Sequence, residues 1–140
     1  MPGECMKKYA ADNLLFLRDK YPEIYKLVRN RSYNKDQYKI EPAKNGQPNV
    51  LIRLEDGTNR FVYSRYDPVL EADRWAQSVT EQVRDRMDVL LCGFGLGYHL
   101  EAFLALYPDK RVFVYEPQLD LFLCALEHRD LRSILQNKRI

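Results

Sequence analysis

Three alternating glycines, Gly93, Gly95 and Gly97, lie between an apolar run, Asp88 to Cys92, and a stretch of helical spacing that opens at Tyr98 and His99. Glycine lets the backbone turn sharply and lets a ligand approach the amides. The helix start behind it offers unpaired N–H donors and partial positive charge to a phosphate or carboxylate. Glu116 closes the next apolar run about twenty residues on, where an acid accepts hydrogen bonds from ribose hydroxyls. The candidate binding set is therefore Gly93, Gly95, Gly97, Tyr98, His99 and Glu116. A second reading of the same residues stays open, in which the glycines only permit a tight strand-to-helix turn.

The spacing G-x-G-x-G differs from the dinucleotide pattern G-x-G-x-x-G, and the phosphate loop G-x-x-x-x-G-K-[ST] is absent. It is closer to the first motif of adenosylmethionine-dependent methyltransferases. His99 and His128 are the only histidines, which excludes a multi-histidine metal site and H-E-x-x-H. His99 is placed either to reach a ligand or to bond its own backbone. Ser64, Ser78 and Ser133 lack the glycines of a nucleophile elbow, and no residue pairs a base with a nucleophile, so no catalytic residue is assigned. Cys5, Cys92 and Cys124 form no C-x-x-C and fit a reducing compartment, with Cys92 and Cys124 expected as core thiols because both lie in apolar runs.

The elements that must position the glycine turn follow from apolar spacing. Asp88 to Cys92 and Arg111 to Tyr115 read as short buried strands. Tyr98 to Tyr107 reads as a helix between them, and Leu119, Phe122, Leu123 and Leu126 mark another. Strand, helix, strand, helix with short links implies parallel pairing through a right-handed crossover. A two-stranded parallel sheet buries little, so a third strand is expected to begin at Lys138-Arg139-Ile140, within a larger α/β domain.

Upstream, Met6 to Arg31 has helical spacing and Pro22 divides it into two helices. Gln37 to Ala43, Asn49 to Leu54 and Asn59 to Ser64 read as three strands joined by turns at Asn45-Gly46 and Asp56-Gly57, an antiparallel meander that the preceding helices are expected to cover. Asp67-Pro68 then caps a helix whose stripe is Val69, Ala72, Ala76, Val79 and Val83, with Trp75 anchoring it to a neighbour. The expected fold is α/β with an α+β beginning: a helical pair and meander in residues 1–86, and the start of a Rossmann-like βαβα unit in residues 87–140.

With 22 Lys+Arg against 20 Asp+Glu in 140 residues, the chain lacks the one-sided basic excess of a nucleic-acid binder. Its 46% hydrophobic and 30% charged content is that of a packed globular chain. No apolar run approaches the ~20 residues that cross a bilayer. The N-terminus carries Glu4, Lys7 and Lys8 with no signal-peptide core, so neither membrane nor export is expected and the cytoplasm is the expected compartment.

Tyr63-Ser64-Arg65-Tyr66-Asp67-Pro68 through Glu71-Ala72, then Gly95-Leu96-Gly97-Tyr98-His99 and Tyr115-Glu116-Pro117, resemble the N-terminal part of the motility accessory factors, the Maf flagellin glycosyltransferases of bacteria. The resemblance covers nearly all of the chain, with the Asn13-Leu14 helix and the Asn45-Gly46 hairpin in the expected order. It implies a parent protein that transfers a nonulosonic acid, such as pseudaminic or legionaminic acid, from a CMP-sugar donor to Ser or Thr of flagellin. It also implies a transferase centre in a downstream Rossmann-like domain, distantly similar to sialyltransferases and to archaeal hydroxymethylpterin pyrophosphokinases. No catalytic residue transfers onto this sequence, so the chain by itself is expected to be inactive; only the six residues of the glycine-turn set correspond to a motif of binding value. The alternatives are a methyltransferase-like domain, in which Glu116 binds the ribose of adenosylmethionine, and a structural or interaction domain. An open parallel-sheet edge would also favour a homodimer.

Overall fold

The computed structural model of the chain describes residues 2–137; the third strand expected at Lys138-Arg139-Ile140 lies outside them. Helix α1 (Pro2–Lys20) breaks at Tyr21 and α2 (Pro22–Val28) starts on the proline, where a missing N–H costs nothing because first-turn donors have no partner within a helix. Strands β1 (Tyr38–Pro42), β2 (Pro48–Arg53) and β3 (Asn59–Phe61) form the antiparallel meander in the order β1-β2-β3. Its register pairs Ile40 with Val50 and Leu51 with Phe61.

Helix α3 (Pro68–Ser78) is capped by Asp67, whose carboxylate accepts from the Leu70 amide at 2.9 Å. The single helix expected through Val83 is interrupted at Val79 and resumes as α4 (Thr80–Val83). The cause is competition for carbonyls. The Tyr107 hydroxyl donates to the Ala76 carbonyl at 2.7 Å, Thr80 Oγ1 to Gln77 at 2.8 Å and Ser78 Oγ to Trp75 at 2.6 Å, at the point where the helix needs those acceptors. Ala72, Ala76 and Val83 of the expected stripe are buried, whereas Val69 is exposed.

Strand β4 (Asp88–Cys92), α5 (Tyr98–Leu106), β5 (Arg111–Tyr115) and α6 (Leu119–His128) complete the α/β part, followed by a short α7 (Arg132–Leu135). β4 and β5 are parallel, with Leu90 opposite Phe113 and Cys92 opposite Tyr115. One face of this pair points into the core through Val112. The other presents Leu90, Phe113 and Tyr115 to solvent, 64%, 58% and 61% exposed. Cys92 belongs to that bare face and is exposed, which corrects its expected place in the core; Cys124, in α6, is fully buried.

Packing also corrects the expected cover of the meander. α1 lies against α6, and α3 against α5, so the helical pair is a layer of the α/β part and β1 meets α6. Asn13 locks that layer. Fully buried in α1, its amide donates to the carbonyls of Leu126 and Arg129 at 2.8 and 2.7 Å, and its oxygen accepts from the Leu131 amide at 3.0 Å. No helix among the described residues is long and apolar enough to cross a membrane.

Candidate functional site

The turn between β4 and α5 is built as its glycines require. Gly93, Gly95 and Gly97 have φ of 106°, 55° and 91°, in the left-handed region that other residues rarely adopt. At Gly95 space is closed as well as conformation: a Cβ there would sit 1.9 Å from the Tyr63 hydroxyl oxygen. At Gly97 it would press on Ile134 at 3.1 Å and on Arg129 at 3.4 Å.

All five amides of the turn are hydrogen-bonded from within the chain. Gly93 donates to the Tyr115 carbonyl at 2.6 Å and prolongs the β4–β5 ladder. Phe94 and Gly95 donate to one oxygen of Glu116 at 3.0 and 2.7 Å, and its second oxygen accepts from the Gln118 amide at 3.0 Å. Leu96 donates to the Tyr63 hydroxyl at 2.7 Å, and Gly97 to the Phe94 carbonyl at 2.9 Å. The turn is thus an anion-binding concavity whose anion is the Glu116 carboxylate. An external phosphate or carboxylate that took these amides would displace Glu116, and the same carboxylate would then be free to meet a hydroxyl.

Structure brings the six sequence-derived residues together around this turn and gives each a place. Tyr98 is buried; its hydroxyl donates to the Pro48 carbonyl at 2.6 Å, tying the turn to the meander. The His99 imidazole has no hydrogen-bond partner among the described residues. Its ring lies between Trp75 and Tyr63, with centroids 4.9 and 5.7 Å away. Burial holds its imidazole below the usual histidine range, against a smaller upward pull from Glu71.

Three further residues hold the site and were not anticipated. Tyr63 is buried, and burial pushes its hydroxyl up to about 12, so it stays protonated. Asn49, fully buried, sets Tyr63: its amide donates to the carbonyls of Tyr63 and Ser64 at 3.0 and 3.1 Å, and its oxygen accepts from the Val50 and Tyr63 amides at 2.8 and 3.1 Å. Arg129 closes the other side, donating to the Leu96 carbonyl and the Glu101 carboxylate, each at 2.8 Å, while its guanidinium lies 4.2 Å from the Tyr98 ring centre. Two polar residues of the Tyr63–Ala72 element also bond to its own backbone. Ser64 Oγ accepts from the Tyr66 and Asp67 amides at 3.1 and 3.2 Å, and Glu71 accepts from the Ser64 amide at 2.9 Å. No group of three or more His, Cys, Asp or Glu among the described residues is placed to hold a metal ion.

An α/β domain with a meander clasped to a glycine turn by Tyr63 and Tyr98 is the class that the geometry defines. The family of the glycosyltransferase Maf N-terminal domain matches residues 55–139, which include Tyr63 and the glycine turn, and the chain belongs to this family. It is similar to the solved structure of a Maf glycosyltransferase from Magnetospirillum magneticum AMB-1, with a TM-score of 0.64 at 17% identity. That likeness is one of fold. It covers 93% of this chain and 25% of the relative, so the chain spans about a quarter of that protein's length. No curated protein matches the chain.

Proposed function

We propose that this chain is the N-terminal part of a glycosyltransferase that moves a nonulosonic acid from a CMP-sugar to Ser or Thr of flagellin, acting in the cytoplasm. The observation that carries the proposal is the family match over residues 55–139, which takes in the glycine turn and Glu116; the fold of a Maf glycosyltransferase four times as long supports it. In this reading Gly93, Gly95, Gly97, Tyr98, His99 and Glu116 border the donor nucleotide, and the amides of Phe94 and Gly95 become available to its phosphate when Glu116 releases them. The reacting groups lie outside this region, so the chain alone binds or positions and does not transfer.

The test is calorimetry on the intact protein with CMP and with adenosylmethionine, together with transfer from a CMP-nonulosonic acid to flagellin. Binding of CMP without adenosylmethionine binding, and transfer to flagellin, are expected. Tight adenosylmethionine binding without transfer would replace the reading with a methyltransferase. Glu116→Gln is the informative variant for the turn, because it keeps shape and removes charge. A change in CMP affinity of about tenfold or more, ~1.4 kcal/mol, is expected, and an unchanged affinity reduces the turn to a structural element. Gly95→Val cannot serve here, since its side chain would strike Tyr63 whether or not a ligand binds.

A further inference from the structure

β5 has one strand neighbour, β4, among the described residues. The Arg111 amide donates to the Met87 carbonyl, and the Tyr115 carbonyl accepts from Gly93, so the odd-numbered residues of β5 turn their backbone groups toward β4. By strand alternation, the N–H and C=O of Val112 and Val114 point to the open edge. Below that edge lies an apolar groove with a cavity of about 320 Å³, lined by Ile24 and Leu27 of α2, Val112 and Val114 of β5, Phe122 of α6 and Leu135 of α7. Ile24 and Leu27 are 40% and 50% exposed, large apolar side chains on a helix that faces this gap.

We propose that this groove seats a further parallel strand, contributed by the polypeptide that follows α7 in the intact protein. It would hydrogen-bond to Val112 and Val114 and send its inward apolar side chains between α2 and β5. The proposal rests on the reading of the chain as part of a longer glycosyltransferase. Three observations select this occupant. The matched family is that of an N-terminal domain, and the Maf glycosyltransferase of the same fold is about four times the length matched here, since 25% of it is covered. A right-handed crossover from β5 through α6 and α7 delivers the next strand to the outer edge of β5. The crossover ends in place: Leu135 lines the groove, and the Tyr21 hydroxyl donates to its carbonyl at 2.8 Å. Parallel strands are stable when flanked and covered, so the added strand would make β5 central.

The test is hydrogen exchange on the intact protein, read at single amides. Val112 and Val114 are expected to exchange at least ~100-fold slower than unstructured amides, at every protein concentration. Leu27→Lys, which puts a charge into the groove, is expected to remove most of that protection while leaving Val50 in the meander protected. Should Leu27→Lys also expose Val50, Leu27→Ala replaces it with the same expectation for Val112 and Val114. Exchange near the unstructured rate at both amides overturns the proposal. So does protection that vanishes on dilution, which would assign the edge to a second copy, and so does an intact polypeptide that extends no further than Ile140. Transfer to flagellin is assayed in the same preparation, so an inactive protein with a protected edge removes the functional reading and leaves the strand.

Discussion

The meander and the β4–β5 pair both use glycines with positive φ, and they use them differently. Gly46 and Gly57 turn the hairpins in open space, with nothing within 4 Å of where a Cβ would stand. Gly95 turns against the Tyr63 hydroxyl and Gly97 against Ile134. The hairpins need a backbone conformation alone, and each strand of the meander finds its partner within the meander. The parallel pair needs conformation, clearance and contributions from afar: Tyr63 from the bend after β3, Glu116 from beyond β5, Arg129 from the end of α6. A local sheet tolerates change at its turns. A composite one transmits it.

The largest expected break is Gly95→Val. Clash with Tyr63 and a φ of 55° act together, and a loss of about 3–5 kcal/mol is expected in urea unfolding. Asn49→Leu comes next. It leaves the buried Tyr63 amide and the carbonyls of Tyr63 and Ser64 without their partner, for a loss of about 2–4 kcal/mol. Because Asn49 lies in β2 but aims Tyr63 at the turn, exchange at the Leu96 amide is expected to rise with it.

Acid sharpens the comparison at the junction. Burial foremost holds His99 and His128 below the ordinary value of 6.5, with Lys35 adding to the effect at His128. The unfolded chain therefore takes up protons first on acidification. Their contribution to stability is full above about pH 6.5 and is lost as the pH falls through the lower folded-state values. Urea midpoints measured from pH 7.5 down to about pH 5 are expected to fall, and His99→Phe is expected to remove its share of that fall. The smallest effect belongs to the meander. Gly57→Asn keeps a turn that Asp56 already fastens through Thr58, and a change within about 1 kcal/mol is expected in the same assay.

Local signals made the elements legible. Pro22, Asp67-Pro68, Asn45-Gly46 and Asp56-Gly57 act within a few residues of themselves, and the helices and hairpins begin and turn where they stand. The glycine turn and Glu116 were legible as a pair because strand–turn–helix geometry returns the second strand's end to the first. What the sequence hid is tertiary. Nothing around Tyr63 announces that its hydroxyl ends on Leu96, and nothing around Asn13 or Asn49 tells a buried clamp from a surface amide. The break at Val79 depends on a hydroxyl from Tyr107, a distant residue competing for a helix carbonyl. Cys92 was misplaced because an apolar run looks alike whether both faces of its strand are covered or one is bare.

The contact between Gly95 and Tyr63 also bears on how this family varies. With 1.9 Å between a would-be Cβ and the hydroxyl oxygen, the two positions share a single volume. In an alignment they would be inherited as a unit. A homologue with asparagine at 95, the side chain best suited to a φ near 55°, would carry a residue shorter than tyrosine at 63 and would need another acceptor for the amide at 96. Such paired exchanges would mark where the clasp between meander and turn has been rebuilt rather than lost.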